Sequence, residues 1–379
     1  MSFLEQNIKS VPSGWRKVLH VNWALVVLIC AVASVGFLML YSVAGGSFTP
    51  WAEPQIKRFI LGLCAMFFVA FVPIWFWRNM AVVGYLAGLG LLIAVELFGS
   101  KAGGAVRWID LGFMRLQPSE LMKIAVVVLL AAYYDWLPLK RTSRLLWVAI
   151  PILLVLIPVA LVFKQPDLGT ALLIAIGGGL VIFLAGVSLW YFGGVVALAV
   201  VLVIGVFESR DTSWQLLSNY HYDRIETFLE DTDDPLGKDY HITQAKIAMG
   251  SGGWTGKGFM QGTQSRLNFL PEKHTDFIFN ILAEEFGFVG GISLLLLYML
   301  IVVFCIFSAL QNKDRFSSLM TLGIGFTFFL YFAVNMSMVM ELAPVVGVPL
   351  PMVSFGGSAM LVLMLGFGLV QSAHIHRPR

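Results

Sequence analysis

The chain consists of long apolar runs separated by short polar segments. Stretches of about 20 apolar residues recur between charged residues, and a helix of that length crosses roughly 30 Å of hydrocarbon. The pattern predicts ten transmembrane helices, near residues 21–43, 58–76, 79–98, 119–136, 145–163, 168–187, 190–207, 277–310, 316–340 and 351–373. The predicted fold class is therefore an all-α integral membrane protein.

Two of these spans depend on local detail. No charged residue occurs between Asp167 and Glu208, and this stretch is too long for one crossing. The sequence LAGVSLWYFGG inside it combines a glycine-rich turn with interfacial aromatic residues, which favours two helices joined as a hairpin. The eighth span is long and carries Glu284 and Glu285 near its start. Its first two turns are therefore expected at the membrane interface or against a cavity.

The basic residues predict which side of the membrane each segment occupies. Short segments on the side of the two termini hold Lys9, Arg16, Lys17, Arg78, Lys140, Arg141, Arg144, Lys313, Arg315, Arg377 and Arg379. Short loops on the opposite side hold only Lys57, Arg58, Lys101, Arg107, Arg115 and Lys164. Because basic residues favour the cytoplasmic side, both termini are predicted to be inside.

This orientation gives a single polytopic membrane domain with one large extracytoplasmic loop between helices 7 and 8. Its predicted parts are a cytoplasmic tail (1–20), helices 1–7 (21–207), the loop (208–276), helices 8–10 (277–373) and a second tail (374–379). Loops this long are usually functional or disordered. Apolar residues at helical spacing near 222–229 favour short helices on the membrane surface.

Composition excludes several other classes. Hydrophobic residues make up 58% of the chain and charged residues 12%, about half the charged share of soluble domains, which is roughly 25%. Basic residues are scattered, so nucleic-acid binding has no support. The three cysteines lie inside apolar runs and indicate neither a disulfide framework nor a metal site.

The segment 103–127 is the first candidate for chemistry. Arg107, Arg115 and Lys123 repeat at a spacing of eight, Trp108 follows Arg107, and Glu120 lies one helical turn before Lys123. Charged residues inside a span are costly and usually face a partner or a wet cavity. The alternative is an interfacial loop with a structural Glu–Lys pair.

The segment 250–279 is the second candidate. Its glycines and Lys257 suit an anion, although the residues around Lys257 do not match a nucleotide phosphate-binding loop. Asp276 lies next to apolar sequence and near His274. Desolvation there is expected to raise the pKa of Asp276, which would make it a useful base near neutral pH. The alternative for Asp276 is an N-cap of the eighth helix, and capping is likewise the simpler role for Asp167 at the start of the sixth.

The segment 343–360 contains three prolines and two adjacent glycines, which prevent a regular helix. Irregular backbone at membrane depth is tolerated only when it is buried in protein or lines water. This segment is therefore expected to re-enter the bundle or to cap a cavity. The residues alone indicate an outward-facing membrane enzyme or a transporter of an anionic lipid.

Over nearly its whole length the chain resembles the SEDS family (shape, elongation, division and sporulation proteins). The motifs GAVRWIDLG…RLQPSELMK, QPDLGTA, GKGFMQGTQSRLNFLPEKHTDFIF and VGVPLPMVSFGGS occur in the order expected for that family. The glycine-rich motif, VVGVPLP and the short tails are similar to the RodA elongation branch. Phe355 departs from the family pattern, in which a tyrosine is common, and Met122 and Met352 replace other apolar residues.

The resemblance implies a function and a set of residues. Family members polymerise lipid II, an undecaprenyl-diphosphate-linked disaccharide pentapeptide, in the bacterial plasma (inner) membrane, with a class B penicillin-binding protein as partner. The resemblance implies that Asp276 is the general base and that the diphosphate is bound by positive charge. The expected substrate-binding residues are Arg58, Arg107, Trp108, Arg115, Glu120, Lys123, Lys257 and His274.

Two questions stay open at this stage. A divalent cation, Mg²⁺ or Mn²⁺, could bridge Asp276 and the diphosphate, although no spacing indicates a metal site. A lipid II flippase and a non-enzymatic scaffold of the elongation machinery are the alternative functions. The polar residues lie almost wholly on the outer side and no internal repeat is visible, which favours the polymerase.

Overall fold

The computed structural model describes Gly14 and residues 16–102, 105–110, 112, 115–209, 215, 240–263, 273–343 and 347–377. A helical turn, Arg16–Leu19, precedes eleven helices. They are α1 (Trp23–Val43), α2 (Ala52–Phe71), α3 (Ile74–Phe98), α4 (Pro118–Trp136), α5 (Leu145–Lys164), α6 (Leu168–Leu184), α7 (Leu189–Glu208), α8 (Tyr240–Ser251), α9 (Ile278–Leu310), α10 (Arg315–Val339) and α11 (Gly357–Ile375).

Seven of the helices within the described ranges are long and apolar enough to cross a membrane, namely α1, α2, α3, α5, α9, α10 and α11. α10 and α11 are the most buried of these and form the centre of the bundle, whereas α3 and α5 lie at its periphery. Large apolar side chains such as Phe68, Leu86, Trp190 and Leu296 point outward and are exposed. An outer surface this apolar fits contact with lipid.

In the described part of the chain, ten helices of 17 residues or more overlap the ten predicted segments, and seven of these helices are long and apolar enough to cross a membrane. Three starts differ clearly from the prediction, and one of them is that of α3, which begins at Ile74 rather than near residue 79. α2 begins at Ala52 rather than near residue 58, because the charged residues Glu53, Lys57 and Arg58 lie within the helix. α11 begins at Gly357 rather than near residue 351, because Pro349 and Pro351 keep the preceding segment irregular.

The all-α prediction missed a small antiparallel sheet between α3 and α4. It contains β1 (Ser100–Ala102), β2 (Ala105–Asp110) and β3 (Arg115–Leu116), in the order β1-β2-β3. In the register between β2 and β3, Ile109 faces Leu116 and Asp110 faces Arg115. The β-branched and aromatic residues of β2 favour a strand. The sheet fixes the segment that leads into α4. Two of the predicted site arginines lie in its strands.

α9 is broken near its start. Gly287 has φ 66° and ψ −162°, outside the helical region, and separates a short first part from the long span. The glycine-rich loop, residues 252–263, bridges this break through backbone hydrogen bonds: Lys257 N to Glu284 O (3.0 Å), Gly258 N to Glu285 O (3.0 Å), Phe288 N to Gly253 O (2.9 Å) and Val289 N to Trp254 O (3.1 Å). The loop thus satisfies backbone groups that the break would leave unpaired.

The predicted extracytoplasmic loop contains one described helix, α8. It packs on α9, and Asn280 Nδ2 donates to Ala245 O at 2.7 Å. The helical spacing near 222–229 lies outside the described residues. Glu284 and Glu285, expected at the interface or against a cavity, are fully buried beneath the glycine-rich loop.

Candidate active site

A cavity of about 910 Å³ opens between β2, α2, α4, α6, α10 and α11. Seven of the eight predicted substrate-binding residues line it together with the predicted base: Arg58, Arg107, Trp108, Arg115, Glu120, Lys123, His274 and Asp276. These residues come from three segments that are far apart in sequence. Their convergence on one cavity is the main structural finding about the site.

The loop that carries Asp276 is held by its main chain. The carbonyls of three consecutive residues each accept one hydrogen bond: His274 O from Phe355 N (2.9 Å), Thr275 O from Ser354 Oγ (2.5 Å) and Asp276 O from Asn335 Nδ2 (3.1 Å). Asn335 Nδ2 also donates to Val348 O at 2.7 Å. The irregular segment around residues 347–356 therefore closes against this loop, in line with the re-entrant segment that the sequence predicts.

Asp276 is not the N-cap of α9. Phe277 occupies the N-cap position and no capping side-chain hydrogen bond is made there, so the capping alternative is wrong. The Asp276 side chain lines the cavity, and the residue is only 8% exposed. Its Oδ2 atom lies 3.7 Å from the point where a Cβ on Gly347 would be. The carboxyl group is thus close to the backbone of the segment that closes the cavity.

Aromatic rings support one side of the site. The ring of His274 stacks on Trp51 with centroids 3.9 Å apart, and Phe355 meets Trp51 edge-on at 5.0 Å. The guanidinium of Arg58 lies 4.9 Å from the centroid of the Phe355 ring. Its buried Nη1 atom has no hydrogen-bond partner among the described residues. A buried guanidinium N–H that faces a polar cavity is suited to an anionic ligand.

The opposite side is built around the turn between α5 and α6. Arg107 Nε donates to Gln165 O at 2.9 Å and its Nη2 donates to Pro166 O. Asp167 caps α6 by accepting from Thr170 N at 3.2 Å, which confirms the capping prediction. Its second oxygen accepts from Gln117 Nε2 at 2.8 Å. Arg107 therefore binds the turn as well as lining the cavity.

Glu120 and Lys123 form a buried pair in the cavity wall. Lys123 Nζ lies 2.7 Å from Glu120 Oε1, and the two residues are 3% and 4% exposed. Tyr331 of α10 donates its hydroxyl hydrogen bond to Glu120 Oε2. Arg115 differs from this pair because it is exposed, and its ion pair within the described residues is a 3.9 Å contact with Asp110.

Lys257 is the one predicted substrate-binding residue that does not line the cavity. Its Nζ lies 2.7 Å from the buried Glu284 Oε1 and 2.8 Å from Thr263 Oγ1. The backbone amides of Lys257 and Gly258, which the sequence suggested for an anion, donate to the carbonyls at the break in α9. The structure therefore places Lys257 outside the cavity, where it neutralises a buried carboxylate.

Sequence reasoning missed Tyr331, Gln117 and Thr170, all of which line the cavity. Tyr331 lies in the apolar run FFLYFAV and carries no charge to attract attention. The available signal was a single hydroxyl in an aromatic span. It had no predictable partner, because Glu120 is more than 200 residues away in the chain.

Comparison with known proteins identifies the family. The family model FTSW_RODA_SPOVE, whose description is "Cell cycle protein", matches residues 18–379. The chain belongs to the FtsW/RodA/SpoVE family. This match confirms the resemblance to the SEDS family and covers nearly the whole sequence.

Relatives of known name and structure cover almost the whole of this family member. It is 42% identical to the peptidoglycan glycosyltransferase MrdB of Escherichia coli K12, over 96% of this chain and 95% of the relative. It is 32% identical to MrdB of Helicobacter pylori 26695, over 93% and 90%. The chain in a structure titled "Structural coordination of polymerization and crosslinking by a peptidoglycan synthase complex" superposes with a TM-score of 0.80, at 30% identity and coverages of 93% and 97%.

A second solved structure is the rod shape determining protein RodA of Thermus thermophilus. It superposes with a TM-score of 0.69, at 29% identity, over 94% of this chain and 97% of that one. Together with the apolar helices, the family match makes this chain a multi-pass membrane protein.

Proposed function

We propose that Asp276 is the general base of a glycosyl transfer reaction carried out in the cavity. The activity itself follows from the relatives: the chain is a peptidoglycan glycosyltransferase of the elongation type. The observation that carries the assignment of the site is that Asp276 and four cationic side chains, from separate segments, line one cavity.

The proposed substrate is lipid II, both as donor and as acceptor. The acceptor's GlcNAc 4-hydroxyl attacks the anomeric carbon of the donor. A C–O bond forms there as the bond from that carbon to the diphosphate breaks, and the lipid diphosphate leaves with the electron pair. Asp276 acts as the general base and takes the hydroxyl proton. The reaction needs one base and no second acid, because a diphosphate leaves readily.

The cationic side chains stabilise the leaving group. Arg107, Arg115 and Lys123 place positive charge on one wall of the cavity, and Arg58 supplies a further guanidinium near Phe355. Charge held in place before the reaction stabilises the charge that develops in the transition state. Guanidinium groups also bind phosphate oxygens in a bidentate way. Trp108 and the His274–Trp51 stack offer ring faces for a sugar.

The other carboxyl groups of the cavity have structural partners. Glu120 accepts from Lys123 and Tyr331, Asp167 accepts from Thr170 N and Gln117, and Asp110 is paired with Arg115. Using Glu120 or Asp167 as a base would break contacts that hold the wall, whereas the Asp110–Arg115 pair is exposed. The loop that carries Asp276 is held through main-chain carbonyls, so protonation of the Asp276 carboxyl group leaves those loop contacts in place.

A divalent cation fits this cavity only with help from the substrate. The described residues contain no group of three or more His, Cys, Asp or Glu side chains that could hold a metal ion. Asp276 would supply one ligand, and diphosphate oxygens and water would supply the others, which is how Mg²⁺ is commonly held beside phosphates. Such an ion would add positive charge at the leaving group.

We also propose the membrane arrangement. All ten long helices cross the bacterial inner membrane, both termini are cytoplasmic, and the cavity faces the outer side with the loop 208–276. The bias of basic residues supports this orientation. A class B penicillin-binding protein is the proposed partner, supported by the structural similarity to a chain of a peptidoglycan synthase complex.

The test of the base is Asp276→Asn in purified full-length protein reconstituted with lipid II. Asparagine keeps the size of the side chain and removes its basicity, so polymer formation should fall by at least about a hundredfold, the lower range for a lost general base. Lipid II binding and the unfolding temperature should be retained. Glycan length on gels measures polymer formation, a binding assay measures lipid II binding, and a thermal unfolding curve gives the unfolding temperature.

Glu53→Gln is the matched control, because it also converts a carboxylate to an amide. Glu53 forms an exposed pair with Lys57 at 2.6 Å and does not line the cavity. Exposed pairs contribute little to stability, so this variant should polymerise like the wild type. Normal polymerisation by Asp276→Asn would refute the assignment of the base. If the wild-type protein binds lipid II but forms no polymer, that result would favour the flippase or scaffold alternatives.

A further inference from the structure

Tyr331 contacts both members of the buried Glu120–Lys123 pair. Its hydroxyl donates to Glu120 Oε2, while Lys123 Nζ lies 2.7 Å from Glu120 Oε1 and 4.2 Å from the centroid of the Tyr331 ring. The three side chains form a closed ring of contacts. All three are almost fully buried, yet all three line the cavity.

This ring of contacts limits where the Lys123 ammonium can be. A lysine side chain is a flexible stem of four carbons, so an isolated ammonium would sample many positions. Here one N–H is directed to Glu120 and the charge also faces an aromatic ring, an arrangement that attracts cations. No other hydrogen bond of Lys123 is present in the described part of the chain. The remaining donor capacity can therefore serve a ligand in the cavity.

The helix that carries Tyr331 also holds the loop of the base. Asn335 lies four residues after Tyr331 on α10, so the two side chains share one face of the helix. Asn335 donates to Asp276 O and Val348 O, whereas Tyr331 contacts the Glu120–Lys123 pair of α4. One rigid helical turn thus connects the segment that carries the base to the segment that carries the cation.

We propose that Tyr331 is a positioning residue. Through Glu120 and through its ring face it sets where the Lys123 ammonium meets the donor diphosphate, in register with Asp276. This inference rests on the proposed function, in which Lys123 binds the diphosphate. Tyr331 itself takes no proton and forms no bond in the reaction.

The first test compares Tyr331→Phe with wild-type protein, full length and in lipid nanodiscs. Phenylalanine keeps the ring beneath the ammonium and removes the hydroxyl that holds Glu120. We expect inhibition by undecaprenyl diphosphate to weaken about tenfold and kcat/KM for lipid II to fall by a similar factor, as for one lost hydrogen bond to a charged group. Tyr331→Leu, which also removes the ring, should fall about tenfold further.

Tyr85→Phe is the matched control. Tyr85 is a buried residue whose hydroxyl donates a part-buried hydrogen bond to Leu154 O at 2.8 Å, and it does not line the cavity. Its loss removes a tyrosine hydroxyl hydrogen bond away from the site, so any general effect of losing such a hydroxyl appears in this variant. We expect unchanged inhibition by undecaprenyl diphosphate. Equal weakening in Tyr85→Phe and Tyr331→Phe would overturn the proposal.

A double-mutant cycle decides whether Tyr331 acts through Lys123. Lys123→Met keeps most of the side-chain length and removes the charge, so it should weaken inhibition by undecaprenyl diphosphate. Adding Tyr331→Phe to it should then have no further effect. If Lys123→Met does not fold, the same cycle with Glu120→Gln is used, and the two changes should again combine less than additively.

The outcomes separate the two proposals. Weakened inhibition in Lys123→Met but not in Tyr331→Phe refutes the role of Tyr331 and leaves the proposed function intact. Unchanged inhibition in Lys123→Met refutes the proposed contact between Lys123 and the diphosphate, and the role of Tyr331 with it. Fully additive effects in the cycle overturn the positioning role alone.

Discussion

Arg107, Arg115 and Lys123 line the same cavity, but each side chain makes different contacts with the rest of the protein. Arg107 holds the turn between α5 and α6 through Gln165 O and Pro166 O. Lys123 neutralises the buried Glu120. Arg115 is exposed, and among the residues that the structure describes its ion-pair contact is a distant one with Asp110. A substitution of Arg115 should therefore report on ligand binding with the least disturbance of the fold.

We predict that Arg115→Ala lowers donor affinity and turnover together. The change removes a charge-assisted contact worth about 1.5–3 kcal/mol, whereas exposed ion pairs such as the one with Asp110 contribute little. Steady-state polymerisation with lipid II and a thermal unfolding curve measure the two effects separately. An unfolded Arg115→Ala, or one with wild-type kinetics, would show that the arginine has a structural role or none.

At this scale the sequence was a good guide to charged residues and a poor guide to neutral ones. Charges at the edge of a membrane are costly, so Asp276, Arg107 and Lys123 could be assigned to a cavity from the sequence. The same argument did not anticipate the pairing of Lys257 with Glu284, because Glu284 is buried at a helix break that no local pattern indicates. Tyr331 has no charge and its partner is distant in sequence.

The break in α9 is the clearest feature at the scale of secondary-structure elements. Gly287 has positive φ, and an added Cβ would lie 2.4 Å from Gly256 N and 2.6 Å from Trp254 O. Gly256 also has positive φ, and a Cβ there would lie 2.1 Å from Glu285 O. Neither position can accept a side chain without moving backbone. The close approach of two glycines thus allows the glycine-rich loop to cross the broken helix.

We predict that Gly287→Ala destabilises the protein and reduces activity. Unfavourable φ and ψ alone cost roughly 1–3 kcal/mol, and the overlap with loop backbone adds to this. Gly84→Ala in α3 is the control, because a Cβ at Gly84 meets nothing within 4 Å. Thermal unfolding in detergent compares the two variants. Equal unfolding temperatures would mean that the loop does not depend on this close approach.

At the scale of the whole molecule, the glycine-rich loop bears on how a partner could act. Its many glycines suggest a segment that is costly to order. The structure shows instead that four backbone hydrogen bonds and the Lys257–Glu284 pair hold it on α9. A partner therefore does not need to order this part of the loop.

We predict that the isolated protein already protects the amides of Lys257 and Gly258 from hydrogen exchange, because both donate to buried carbonyls. Binding of the proposed penicillin-binding protein should leave their protection unchanged. Exchange and polymerisation are measured on the isolated protein and on the complex. Fast exchange that slows only in the complex would show that the partner assembles this region.

The ten long helices could be predicted from hydropathy because lipid requires long apolar helical segments. The sheet of β1, β2 and β3 could not, because its strands are short and pair only with each other. The way in which the predicted re-entrant segment is held against the site also escaped prediction. It depends on hydrogen bonds from Asn335 and Ser354 to main-chain carbonyls, which any sequence at residues 274–276 could accept.

Because the carbonyls of residues 274–276 accept hydrogen bonds that hold the loop of the base, a chain with Asp276→Asn should keep its shape and its outer surface. In cells it would compete with the intact protein for the same partners and the same lipid substrate. Such an allele is expected to be dominant-negative, so that its expression beside the wild-type gene slows elongation and rounds the cells.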